Sequence, residues 1–72
     1  MPLTTGEKIR VLLNRRNMTL AQLAEKTGQS RQNISNKLKR DNFSEKEIMA
    51  IAEALNCTFH ASFIMNDTKE EI

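Results

Sequence analysis

Along the first 55 residues the apolar positions fall in four groups, each with the three-to-four-residue spacing of a helix that buries one face. Ile9, Leu12 and Leu13 form the first group; Leu20, Leu23 and Ala24, with Thr27 one turn on, the second; Ile34 and Leu38 the third; Ile48, Ile51, Ala52 and Leu55 the fourth. Polar residues at the starts of these groups sharpen the boundaries. Thr4 with Glu7, Thr19 with Gln22 and Ser44 with Glu47 each have the spacing of a capping box, in which a hydroxyl accepts from the third helical N–H and a carboxyl or amide reaches back to the cap's own N–H. Phe43 precedes the third box in the position of a hydrophobic staple, and Met18 is placed to plug the corner between the first two helices. Gly28 and Asn56 are suited to the left-handed conformation that ends a helix.

After Asn56 the period changes to two. Cys57, Phe59, Ala61, Phe63 and Met65 alternate with Thr58, His60, Ser62 and Ile64, which predicts a strand over 57–66, with a fifth helix as the alternative. Thr68 to Ile72 reads as a polar, frayed tail, too short and too charged to supply a second strand. The expected organisation is one domain over 1–72: a helical core at 5–56, a C-terminal dimerisation strand at 57–66 and a tail at 67–72.

The third helix differs from the others. Capped by Ser30, it has only Ile34 and Leu38 to anchor it, and every other position from Arg31 to Arg40 is polar or basic. At about 100° per residue, Gln32 and Asn36 lie opposite the Ile34/Leu38 seam, flanked by Lys39 and Arg40. Arginine can fork onto guanine O6 and N7, and glutamine and asparagine can pair adenine N6 and N7, so this face carries side chains suited to base edges.

Ala24, Gly28 four residues later and Ile34 six beyond that resemble the helix-turn-helix of the Cro and phage-repressor family, over roughly residues 5–56. Small residues at Ala24 and Gly28 are expected to let the second helix of the pair cross closely over the first. The resemblance implies a mainly α, four-helix Cro/repressor-like fold, here with one C-terminal β-strand. It also implies that the positions of Arg31, Gln32 and Asn36 face base edges, in agreement with the helical wheel. Thr19, Ser30, Asn33, Lys37, Lys39, Arg40, Asn42 and Ser44 are better suited to phosphate, since hydroxyls, amides and helix N-termini hold a backbone without reading sequence. Two departures limit the carry-over: Leu20 stands where many relatives have a glutamine able to touch DNA, and Leu13 where an arginine is common.

Charge strengthens the reading. Residues 1–40 carry nine Lys/Arg against Glu7 and Glu25, a net +7, whereas residues 41–72 carry two Lys against seven Asp/Glu, a net −5. No acid lies between Gly28 and Asp41 to balance Arg31, Lys37, Lys39 and Arg40, which favours a polyanionic partner. The lone Cys57 rules out an internal disulfide and fits a reducing, cytoplasmic setting, and with one histidine, His60, the chain cannot assemble a zinc-ligand set. The N-terminus has no signal-peptide pattern and no apolar stretch is long enough to span a bilayer. No nucleophile, base and acid set is discernible, so neither catalytic residues nor a cofactor are expected.

The function these features imply is a DNA-binding transcriptional regulator of the repressor type, reading a pseudo-palindromic site on double-stranded DNA as a homodimer. A strand needs partners for its N–H and C=O groups, and with a single strand in the chain the partner is expected from a second copy, through Phe59, Ala61, Phe63 and Met65. The competing reading is a protein-interaction module, an antitoxin-like partner whose C-terminal strand binds another protein.

Overall fold

The computed structural model describes residues 3–72, which form four helices in chain order: α1 (Thr5–Arg15), α2 (Leu20–Thr27), α3 (Arg31–Arg40) and α4 (Glu45–Ala54). All three capping boxes form. Thr4 Oγ1 accepts from Glu7 N–H at 3.1 Å while Glu7 accepts from Thr4 N–H at 2.9 Å. Thr19 and Gln22 repeat the exchange at 3.1 and 2.8 Å, and Ser44 and Glu47 at 3.1 and 3.3 Å. The two bonds from Thr4, the backbone one first, hold the Glu7 carboxyl below the ordinary glutamate range.

The four apolar stripes meet in one core of Ile9, Leu13, Leu23, Ala24, Ile34, Leu38, Ile51 and Leu55. Leu23 is fully enclosed, because α2 packs against both α3 and α4. Leu23, Ile34 and Leu55 are the largest side chains removed from water, each contributing roughly 1.5–3 kcal/mol. Met18, Leu12, Leu20, Phe43 and Cys57 close the edges of this core, half-buried. Across its end, Arg16 Nη2 donates to Asn56 O at 3.1 Å and tethers the close of α1 to the chain leaving α4.

Two glycines hold the frame together for different reasons. Gly28 has φ +70° and its N–H closes α2, as expected of the turn, but a Cβ there would meet nothing within 4 Å. Its role is therefore conformational, and the close-crossing role expected for it is corrected: helix proximity does not depend on its missing side chain. Close approach is found at Gly6 instead, where a Cβ would lie 3.0 Å from Leu38 O and 3.3 Å from Asp41 Oδ1. Asp41, Asn17 and Asn56 also adopt positive φ, each just beyond a helix.

Beyond Asn56 the expected strand over 57–66 is not present among the described residues, and neither is a fifth helix. Residues 57–63 run irregularly, and regular pairing is confined to one antiparallel bridge between Ile64 and Glu71. The tail supplies the second side, which corrects the reading of it as frayed, although the pairing is too short to make a strand. Phe63 and Ile72 exchange two backbone bonds at 2.9 and 2.8 Å, Met65 N–H donates to Glu70 O at 2.8 Å, and Lys69, at φ +64°, turns the chain. The pairing partner of Phe63 and Met65 is thus in the same chain. Glu71 accepts from Ser62 Oγ at 2.6 Å and lies 3.4 Å from His60 Nε2; these two contacts, Ser62 foremost, lower its pKa.

Candidate nucleic-acid interface

Helix α3 is seated by Ile34 and Leu38, 1% and 6% exposed, one turn apart on the face toward the core. Everything else on it is half-buried or exposed. Ser30, in extended conformation, accepts from Asn33 N–H at 3.1 Å and starts the helix without a reciprocal partner, since the third position is Asn33. Gln32 and Asn36 are exposed, as the wheel requires, and Arg31, nearer the seam on the first turn, is exposed as well.

Two amide pairs run along this helix. Gln32 Nε2 donates to Asn36 Oδ1 at 3.2 Å, and Asn33 Nδ2 donates to Gln29 Oε1 at 2.9 Å. Gln32 and Asn36, four apart, share a helix face and brace each other, while Gln29, before the Ser30 cap, braces Asn33 from outside the helix. The Gln32–Asn36 pair leaves the Gln32 carbonyl free to accept and the Asn36 amide free to donate. Two side chains are thus fixed into one hydrogen-bonding surface.

Residues expected at phosphate surround this surface. Thr19, Ser30 and Ser44 are the caps of α2, α3 and α4; each hydroxyl oxygen accepts a backbone N–H, leaving its own O–H free to donate. Their helix N-termini carry partial positive charge. Lys39 and Arg40 are exposed on the last turn of α3, with Asn42 just beyond. Asn33, Asn36, Arg40, Asn42 and Ser44 line an open cleft of about 400 Å³ between α3 and the start of α4. Lys37 lines the same cleft but is not free in it: its ammonium is paired with the Glu47 carboxylate. Glu47 serves twice, one oxygen closing the cap of α4 and the other binding α3.

Sequence reasoning missed two groups at this surface. The Glu47 ion pair places one acid at the edge of the basic face, and no spacing rule joins residues on separate helices. Asp41 ends α3 in the left-handed conformation and accepts from Gly6 N–H at 2.7 Å, across 35 positions of sequence. An aspartate or asparagine just after a helix is a signal for that conformation, but not for the distant donor.

Two short helices joined by a left-handed glycine, the second lightly seated and displaying amides and bases, define a helix-turn-helix. Comparison agrees: the family model of the Cro/C1-type HTH DNA-binding domain matches residues 8–60, and the chain belongs to that family. No curated protein and no solved structure matches it. Among the described residues no group of three His, Cys, Asp or Glu could hold a metal, and no helix is long and apolar enough to cross a membrane.

Proposed function

We propose that this protein is a sequence-specific regulator of transcription, of the repressor type, that binds double-stranded DNA by laying α3 in the major groove. The observation that carries the reading is the division of α3 into a two-residue apolar seam and an exposed polar face. Arg31, Gln32 and Asn36 read base edges. Thr19, Ser30, Asn33, Lys39, Arg40, Asn42 and Ser44 hold phosphates on either side. Lys37 is assigned to α4 through Glu47 rather than to the DNA backbone.

The working unit in this reading is a homodimer joined through the C-terminal segment. Pairing of Phe63 and Met65 with the tail uses one edge of that segment. In an antiparallel ladder alternate residues point their N–H and C=O groups the other way, so those of Ile64 face outward. Phe63 and Ile72 are 83% and 73% exposed, and Ile64 is 62% exposed. Apolar side chains beside an open edge favour pairing with a second copy, and a two-fold axis there would present two α3 helices to half-sites about one helical turn, ~34 Å, apart. Phe59, Ala61 and Met65, all exposed, lie on the same segment.

Selection of bound duplexes from a random pool tests both parts. The expected product is a pseudo-palindrome with a fixed half-site spacing, bound less tightly as salt rises through counterion release. Recovery of no preferred sequence would overturn the readout, and a single unrepeated half-site would overturn the dimer. A chain that instead binds another protein through its exposed apolar hairpin would give no enrichment at all.

A further inference from the structure

The geometry points to Asp41 as a positioning residue for base readout: by accepting the Gly6 N–H it locks the C-terminal end of α3 to the first turn of α1, fixing how the base-reading face is aimed. This inference rests on α3 being the reading helix.

The seam leaves this need open. Two side chains one turn apart press α3 onto the core, and the Lys37–Glu47 pair holds its flank to α4, but past Leu38 the C-terminal end of the helix has no apolar anchor. From Asp41 to Gln32 is nine residues, about 13 Å along the axis, so a 10° change in the direction of α3 is a displacement of roughly 2 Å between its two ends. Base recognition tolerates about 0.5 Å. A further point of attachment at the end of the helix fixes that direction, and Asp41 supplies it with a 2.7 Å bond.

Three features make the attachment specific. Asp41 stands at φ 52° and its own N–H closes α3 onto Lys37 O, so its carboxylate is aimed by the helix end itself. Gly6 is buried, and a Cβ there would press on Leu38 O at 3.0 Å and on Asp41 Oδ1 at 3.3 Å, so a side chain at residue 6 would crowd this junction. The N–H that Asp41 accepts belongs to the first turn of α1, one of the donors a helix cannot satisfy internally, and the dipole there favours a negative charge. Charge gives an independent argument. An acid beside Lys39 and Arg40 reduces attraction to a polyanion, so its place at the end of this helix has to be accounted for by something other than affinity.

The test separates the acceptor from the charge and from the left-handed conformation. Asp41→Asn keeps an acceptor and tolerates positive φ; Asp41→Gly keeps only the conformation; both lose the charge. Binding of the full chain to its selected duplex and to a scrambled duplex of equal length gives a discrimination ratio, alongside circular dichroism to establish that each variant is folded. The asparagine variant is expected to keep the wild-type ratio within about twofold, and the glycine variant to lose about tenfold or more, the scale of one base contact, with the salt slope equal in the two. Gly6→Ala, which disturbs the same junction from the α1 side, is expected to lower the ratio as well. A folded glycine variant with wild-type discrimination, a folded Gly6→Ala with wild-type discrimination, or an asparagine variant as impaired as the glycine one would each overturn the assignment. Wild-type protein that discriminates between no duplexes would instead sink the reading of α3, and this inference with it.

Discussion

A glycine can be required for its torsion angles or for its missing Cβ, and here Gly28 serves the first need and Gly6 the second. Gly28→Val puts a branched side chain at φ +70° in open space, so its cost is backbone strain of about 1–2 kcal/mol, and the melting midpoint is expected to fall by roughly 4–16 °C. Gly28→Asn should recover most of that, as a thermal melt of the three proteins would show. Only the first of these glycines was legible in sequence, because a glycine between two helical patterns announces a turn, whereas Gly6 inside α1 matters through atoms 32 to 35 positions away. The exposed polar face of α3 was legible for a similar reason. Periodicity alone says which residues of α3 avoid the seam. Gln32→Ala or Asn36→Ala is expected to cost ~1–3 kcal/mol on the selected duplex and little on random DNA. Because the two amides bond each other, the double variant should cost less than the sum, by about 0.5 kcal/mol or more in a double-mutant cycle. Lys39→Ala should instead weaken every duplex alike and reduce the salt slope by about one.

Elements whose signals are local were readable to within a residue or two. A capping box spans four residues and needs nothing from the rest of the chain, and all three were found where the spacing placed them. The C-terminal segment shows the opposite. Alternation at Cys57, Phe59, Ala61, Phe63 and Met65 says which side chains would share a face, but a strand is made by its partner, and the partner's whereabouts are not in the alternation. The tail was dismissed for its charge, yet one of its acids, Glu71, is held by Ser62 and His60 across the hairpin. Glu71 has its pKa lowered by folding, so its contribution is present above the ordinary glutamate range and is lost as pH falls through the lowered folded value. Amide exchange at Phe63, Met65 and Ile72 is therefore expected to quicken, relative to exchange in α2, as the pH falls through and below about 4. Glu71→Gln should flatten that dependence.

At the scale of the whole molecule the open question is how many copies act together. Ile64→Pro removes the outward N–H at the free edge while leaving the inward donors of Phe63, Met65 and Ile72 in place, and proline accepts an extended residue before it. In sedimentation at tens of micromolar the wild-type chain is expected to run as a dimer and the Ile64→Pro chain as a monomer. The variant should also lose affinity for a two-half-site duplex while keeping that for one half-site. A wild-type monomer that binds its site as one copy would exclude the dimer. The opposite charges of the two halves, visible in sequence, suit this arrangement: the basic half carries most of the residues proposed to meet DNA, and the acidic half includes the segment proposed to pair.

The bond from Asp41 to Gly6 also bears on how the chain reaches its fold. Helices α2, α3 and α4 follow one another closely, carry their own start signals and meet around Leu23, so their assembly needs only short loops to close, which is the condition for fast folding. Helix α1 is different: its first turn is fastened to a residue 35 positions later, which exists in its left-handed form only once α3 has ended there. The opening helix, first to be synthesised, is thus expected to be the last to dock. Substitutions at Ile9 and Leu13 should speed unfolding while leaving the folding rate nearly unchanged, and those at Leu23 and Ile34 should slow folding.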